Sequence, residues 1–325
     1  MSSSPIALTC GDPNGIGPEI TVKAWEKLKN ELSFVLFSSF DYMTKRFPEI
    51  PIVRVDNPKN AYKVMQDALP IFDIPFKRKY LPEVQNIQFA AETIKSIEIA
   101  TQFCMNRTTK ALCTNPINKY ILSSCEKFNF SGHTDFLKYL TQSDNAVMML
   151  ASDKLRVVPV TVHVSLKDAT NLISEKLITN TIKLCNRSLI KSFRIANPRI
   201  VVTGLNPHSG EGGMFGFEEI NLISPAIKAL QDKINVKGPF SADSLFHRNA
   251  RKNYDAVICM YHDQALIPIK TISFDSAVNI TLGLPFARTS PDHGTAQDIA
   301  NKGVASPSSL INSIKMAEAL SYETT

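Results

Sequence analysis

The stretch Tyr261–Asp298, YHDQALIPIKTISFDSAVNITLGLPFARTSPDHGTAQD, is the densest run of potential chemistry in the chain. Two of the six His, His262 and His293, fall in it, with Asp263, Lys270, Asn279, Arg288 and Asp292. The apolar run Ala256-Val257-Ile258-Cys259-Met260 leads straight into it. That run reads as a buried strand that delivers His262 and Asp263 at its end. In open α/β sheets ligands sit beyond the carboxyl ends of the strands, so an active site is expected here.

Two earlier segments share this design. Arg156–Val162 is an apolar run followed by His163, and Arg199–Leu205 is followed by Asn206-Pro207-His208. One such His is more often a core or capping group. Three at the same height of a parallel sheet are hard to explain that way, and converging imidazoles suit Zn²⁺ or another late divalent metal with a position left open. The Gly-rich Ser209–Gly216 is suited either to closing over a substrate or to a plain long turn. Gly238–Asp243 reads as a second turn, with Asp243 a candidate acid or base.

Farther upstream, Pro5–Cys10 is a strand that runs into Gly11-Asp12-Pro13-Asn14-Gly15-Ile16-Gly17-Pro18-Glu19 and then a helix. Strand, glycine loop and helix suit an anion, but Ile20 stands where a dinucleotide fingerprint has its last Gly. Phe34–Ser38 reads as a strand, residues 48 to 83 as irregular surface with short strands, Phe89–Met105 as an amphipathic helix and Ala111–Thr114 as a strand. Ser131 or Thr134 is placed to cap a helix, and His133 and Thr134 can equally face an anion. Helices are expected near Asn171–Ser188, Glu218–Lys233 and Ser309–Leu320. Strands that alternate with helices predict a largely parallel, doubly wound α/β fold.

Composition bounds the function. A chain of 325 residues suggests two domains or one large α/β unit. A hydrophobic content of 44% and a charged content of 20% are those of a globular enzyme. The net charge of +6 is scattered, and the cluster Lys77-Arg78-Lys79 reads as a solvated loop, so no nucleic-acid partner is expected. A mild positive balance suits an anionic small molecule. Six Cys with no C-x-x-C spacing imply no disulfide framework, and Cys10, Cys113 and Cys259 read as core residues. With neither a signal-like N-terminus nor a membrane-length apolar run, a cytoplasmic protein is expected.

GDPNGIGPE, TNPINK, SGHTDF, GLNPHSGEGG, GPFSADSLF, YHDQALIPIK and NITLGLPFARTSPDHGTA together resemble the 4-hydroxythreonine-4-phosphate dehydrogenase family of pyridoxal phosphate biosynthesis. The blocks run from Gly11 to Gly303. DHGTAQDIANKGVASP is also similar to the cofactor-adenine loop of isocitrate and isopropylmalate dehydrogenases. The resemblance implies that fold: two α/β/α domains with a mostly parallel, doubly wound sheet. Residues 1–128 with 272–325 would form the cofactor side, and 129–271 the metal-ligand and dimer side.

The activity implied is metal-dependent, NAD- or NADP-linked oxidation of 4-phosphohydroxy-L-threonine at C3, then loss of CO2 to give 3-amino-2-oxopropyl phosphate. His163, His208 and His262 match the family's metal positions, with Zn²⁺, Mg²⁺ or Co²⁺ as the ion. The site is implied to be shared across a homodimer. His133, Thr134, Lys270, Asn279 and Arg288 match its substrate positions. The cofactor is expected at Leu282, Gly283, His293, Gly294 and Thr295, and Asp243, Asp263 and Lys270 are the candidate catalytic acid or base groups. The alternative substrate is a phosphorylated sugar acid such as 4-phospho-threonate or 4-phospho-erythronate, handled by a paralogue. A three-His hydrolase and a non-catalytic sugar-phosphate binder fit less well. Three departures stand out: Thr114-Asn115 before Pro116, where the family has a Gly or Ala; Asn301, where it has Gly; and a short segment from Asp56 to Glu83.

Overall fold

A computed structural model of the chain describes residues 4–77, 89–125 and 128–321. Arg78 and Lys79 of the basic cluster, and the end of the short segment at Glu83, lie outside the described residues. The strands, numbered in chain order, are β1 (Ile6–Thr9), β2 (Phe34–Ser38), β3 (Ile52–Arg54), β4 (Leu69–Asp73), β5 (Ala111–Thr114), β6 (Val147–Ala151), β7 (Arg156–Pro159), β8 (Ile200–Thr203), β9 (Val236–Phe240), β10 (Ala256–Cys259), β11 (Val278–Leu282) and β12 (Ala287–Pro291). They divide between two units, Met1–Ala146 with Leu284–Thr325, and Val147–Gly283.

The first unit has strand order β3-β4-β2-β1-β5-β12, every neighbour parallel. Its central strands β1, β2 and β5 are buried throughout, as a parallel sheet covered on both faces requires. The helix Ala90–Met105, expected from the spacing of Ile94 and Ile97, buries both against Val35, Phe37 and Leu112. The second unit has order β11-β6-β7-β10-β8-β9. Here β6 is antiparallel to both neighbours, and the rest are parallel.

The joints fall after Ala146 and Gly283, not at the expected 128/129 and 271/272. Two local facts move them. Phe136 and Leu137 of the helix His133–Leu140 are buried in the same cluster as Ile94, Ile97 and Phe128, so that helix belongs to the first unit. Burial of two such side chains contributes roughly 1.5–3 kcal/mol each. At the other joint, β11 pairs with β6 from Val278↔Ala151 to Leu282↔Val147, which ties it to the second unit.

Other local expectations change as well. The turn read at Gly238–Asp243 starts inside β9, and Pro239 is tolerated there because β9 is the edge of its six strands. The helix near Glu218–Lys233 shrinks to a π-helical turn, Glu219–Ile223, and a short helix, Ser224–Lys228. Neither Ser131 nor Thr134 caps the helix His133–Leu140: its N-cap is Gly132, without a side-chain cap bond, while the Ser131 hydroxyl bonds the Asp135 carboxylate. All six Cys are free, and Cys10, Cys113 and Cys259 are buried. Among the described residues no helix is long and apolar enough to cross a membrane.

Candidate functional site

Strand register explains which imidazoles of the second unit meet. β10 pairs with β7 at a constant offset, Val257↔Val157 to Cys259↔Pro159, so His163 is carried to the level of His262 and Asp263. The pairing is prolonged past the strand ends. The N–H of Val160 bonds the Cys259 carbonyl at 2.7 Å, and the Thr161 hydroxyl bonds the Met260 carbonyl at 2.9 Å. The rings of His163 and His262 then lie 6.0 Å apart, centroid to centroid. They line a pocket of about 210 Å³ with Thr161, Val164, Leu166, Ala169, Tyr261 and Asp263.

His262 follows the strand end, as the sequence suggested. It opens the helix His262–Ser273, and Tyr261 is the N-cap. Asp263 Oδ1 lies 2.7 Å from His262 Nδ1. A carboxylate so placed fixes the ring's tautomer and turns Nε2 away from it, an arrangement common to metal-ligating His. That geometry speaks for Asp263 as an orienting group. Lys270 lies about 12 Å farther along the same helix.

His208 is delivered differently. β8 is offset from β10 so that Asn206 is level with His262 (Ala256↔Ile200, Val257↔Val201), and His208 lies two residues beyond. There the backbone enters a left-handed turn: His208, Ser209, Gly210, Glu211 and Gly212 all have positive φ, from 42° to 80°. For a non-glycine residue this conformation costs roughly 1–2 kcal/mol. The exposed His208 ring faces Phe215, 6.0 Å between centroids. Among the described residues of one chain no three His, Cys, Asp or Glu groups gather as a metal site. One chain pairs His163 and His262, and His208 is not among the residues that line their pocket. Asp243 is near His208: its carboxyl is held below the usual carboxylate range, first by the Ser241 hydroxyl at 2.7 Å and further by the His208 charge.

Two residues that were quoted in motifs but given no role, or not singled out, stiffen this shelf. Gln264 Oε1 accepts bonds from the Met260 N–H at 2.7 Å and the Thr203 hydroxyl at 2.6 Å, and its Nε2 donates to the Gly204 carbonyl at 2.9 Å. It thus stitches the carboxyl end of β8 to that of β10. Glu219, 3% exposed, accepts the N–H groups of Leu205 and Asn206 at 2.7 and 2.8 Å, and the Asn206 side-chain amide at 3.0 Å. Asn279, on β11, has a buried Oδ1 that makes no hydrogen bond. Leu282 ends that strand, buried, and Gly283 follows it at φ +93°.

The first unit gathers cations. Arg288, on β12, is 2% exposed and donates to the Thr114 hydroxyl at 2.6 Å; burial pushes its guanidinium down to about 10. His133 is held well below the ordinary imidazole range by burial first, then by the charges of Arg288 and Lys119. The residue as a whole is half-buried, but its Nε2 is sealed from solvent and makes no hydrogen bond. Lys119 lies against Gly132, where an added Cβ would come within 3.4 Å of Nζ. TNPINK contains Lys119, yet only the fold reveals that it neighbours His133. Thr134 follows in the first turn of the same helix. Buried polar atoms are nearly always paired, so an unpaired His133 Nε2 beside two cations suits an anionic ligand.

A second feature of this unit joins both ends of its sequence. The Ile16 N–H bonds the Thr295 carbonyl at 2.9 Å, and Gln297 Nε2 bonds Asp12 Oδ2 at 2.9 Å. A Cβ on Gly15 would lie 2.8 Å from the Thr295 carbonyl oxygen, so only glycine permits this approach. His293 Nδ1 lies 2.9 Å from the Gly294 carbonyl oxygen, and its Nε2 is buried without a partner. The helix Gly17–Leu28 starts here with no side-chain cap bond, which leaves its N-terminal N–H groups toward the loop. Behind it Asn115, fully buried, bonds the Thr9 carbonyl and the Thr21 hydroxyl. That accommodates the departure at Thr114-Asn115: the amide fills the space beside Gly11 and Gly17.

Comparison with known proteins agrees over the whole chain. The family described as "Pyridoxal phosphate biosynthetic protein PdxA" matches residues 30–317. The 4-hydroxythreonine-4-phosphate dehydrogenase of Ruegeria sp. (strain TM1040) is 46% identical over 323 residues, 98% of each chain. That of Roseobacter denitrificans is 43% identical, covering 97% of each. A crystal structure of 4-hydroxythreonine-4-phosphate dehydrogenase from Klebsiella pneumoniae superposes with a TM-score of 0.89 at 34% identity, over 98% of this chain and 99% of that one. The chain belongs to the PdxA family of pyridoxal phosphate biosynthetic proteins, whose relatives carry the name of an oxidoreductase, 4-hydroxythreonine-4-phosphate dehydrogenase.

Proposed function

We propose that this chain oxidises 4-phosphohydroxy-L-threonine at C3 with NAD or NADP, and that the 3-oxo acid formed loses its carboxyl group as CO2 to leave 3-amino-2-oxopropyl phosphate. The observation that carries the reading is the His163–His262 pair, with Asp263 on His262 Nδ1, at the lip of a pocket in a chain of this family. Two imidazoles with one oriented nitrogen fit two positions of a divalent site for Zn²⁺, Mg²⁺ or Co²⁺. His208 of the partner subunit in a homodimer supplies the third, which accounts for its absence from the pair's pocket within one chain. When bound, such an ion polarises the oxygen at C3 and offsets the negative charge that develops as CO2 leaves.

The chain's own groups do the rest. Arg288, Lys119, His133 and the start of the helix His133–Leu140 hold the phosphate, with Thr134 in the first turn. Because His133 is neutral in the fold, it does not repel the neighbouring cations, and its sealed Nε2 meets a phosphate oxygen as a donor. Lys270 and Asn279 act on the substrate in the second unit. Lys270, Asp243 and Asp263 are the candidate groups for moving the C3 hydroxyl proton, with Asp263 also engaged with His262. The loops at Gly15 and His293–Thr295 hold the nicotinamide cofactor.

The test follows NADH or NADPH absorbance with 4-phosphohydroxy-L-threonine, either nucleotide, and Zn²⁺ or a chelator. Turnover that depends on the ion is the expected result and selects the nucleotide. Absence of turnover in zinc-loaded protein, with turnover of 4-phospho-threonate or 4-phospho-erythronate instead, would replace the substrate while keeping the chemistry.

A further inference from the structure

We propose that Glu219 is the positioning residue for His208: a buried carboxylate that holds the left-handed turn in which His208 is presented. This rests on the reading of His208 as a metal ligand. A left-handed run of five residues, three of them not glycine, is not a resting conformation for a free loop. Backbone bonds close it, from the Ser209 N–H to the Asn206 carbonyl at 3.1 Å and from the Phe215 N–H to the Gly210 carbonyl at 3.2 Å, and the side-chain contacts at its entry converge on one residue. Both oxygens of Glu219 are engaged at the point where β8 gives way to the turn: Oε1 by the backbone N–H groups of Leu205 and Asn206, Oε2 by the Asn206 amide. Glu218 takes the same amide at 2.7 Å. Asn206 is thus fixed on both sides, and it is the residue that passes the chain to Pro207 and His208.

Packing around the carboxylate is close enough to exclude a second arrangement. A Cβ on Gly210 would lie 2.6 Å from Glu219 Oε2, and one on Gly204 would lie 2.9 Å from Oε1 and 2.5 Å from Ser209 Oγ. The two glycines therefore face the carboxylate because no side chain fits there. Glu219 also opens the π-helical turn Glu219–Ile223, an irregularity frequently found at functional sites. The family's GLNPHSGEGG block presents the imidazole, and the acid that holds it lies eleven residues later in sequence, outside that block.

The experiment compares full-length wild type, Glu219→Gln, Glu219→Asp and His208→Ala. Zinc binding is measured by titration calorimetry, and Co²⁺-loaded protein by visible absorption. Glu219→Gln preserves shape but turns one acceptor into an NH2 donor against N–H groups. The expected result is a native circular dichroism spectrum, a zinc affinity roughly 10–100-fold weaker, and an altered Co²⁺ spectrum. Activity is expected to return at high zinc with KM for substrate unchanged. Glu219→Asp, which keeps the charge on a shorter arm, should fall between Gln and wild type, and it stands in if Gln fails to fold. Native zinc affinity and Co²⁺ spectrum in both Glu219 variants, with His208→Ala deficient, would overturn the role of Glu219 alone. Native zinc affinity in His208→Ala would overturn the ligand reading on which it rests.

Discussion

Arg288 and the Nε2 of His133 in the first unit are withdrawn from water, whereas His262 and His208 in the second are held by backbone geometry and carboxylates. In the first unit, burial does the tuning: it lowers the guanidinium and keeps the imidazole neutral. In the second, register sets the height of each ring, and hydrogen bonds accepted by Asp263, Gln264 and Glu219 fix its surroundings. An anion needs desolvated donors that strengthen one another's hold on charge. A metal ligand needs one free nitrogen on a ring that does not turn. Each unit has the environment that its proposed ligand class requires.

Removing a ligand from the second unit should have the largest effect. For His262→Ala, kcat/KM is expected to fall on the order of 10³-fold, the several kcal/mol attributed to Lewis-acid assistance. A variant that keeps near-native, chelator-insensitive turnover would break the division between the two regions. On the buried side, Arg288→Lys keeps the charge but loses the planar fork. KM for the phosphorylated substrate should rise about 10–100-fold, as steady-state kinetics at saturating zinc would show. Asp263→Asn should weaken zinc binding by about tenfold, the low end for an orienting carboxylate, because Asp263 is largely exposed. Calorimetric titration checks it, and KM should not move.

The smallest effect sharpens the comparison through pH. His133 is neutral in the fold, so its folded pKa lies below the unfolded value of about 6.5. Between those two values the unfolded chain binds the extra proton. The stability tied to the neutral ring is therefore complete above about pH 6.5 and is lost as pH falls. Thermal melts from about pH 7 down to about pH 5.5 should show the decline in wild type and a shallower one in His133→Gln. Equal slopes would mean that His133 is not the group that resists protonation.

Much of this was legible in the sequence because it is local. Apolar runs ending in His mark β7, β8 and β10, and the spacing of Ile94 and Ile97 marks a helix. What the sequence concealed depends on long-range placement. Nothing near Lys119 says that it neighbours His133, and nothing near Gln264 says that it bridges β8 and β10. The joints implied by the resemblance also differ from those of the structure, because Phe136 and the β11–β6 pairing join their units through tertiary contacts. The departure at Asn301 is explained only by its backbone: φ is +66°, a left-handed value that glycine adopts freely and Asn tolerates. Its Oδ1 accepts a bond from Arg46.

The strand order of the first unit has a consequence for synthesis. β12 lies beside β5, with Ala287 paired to Ala111, and the helix Ser308–Leu320 accepts the Thr289 hydroxyl at the Ser313 carbonyl. A ribosome therefore makes all of Val147–Gly283 before the first unit can receive its last strand. At translation speeds of about 5–20 residues per second the wait is roughly seven to thirty seconds. The inserted unit has its full complement of strands by then and is expected to fold first. The cationic cluster, which needs Arg288, forms only after it. Pulse-labelled nascent chains probed with protease would date the two events, and early protection of the first unit would reverse the order.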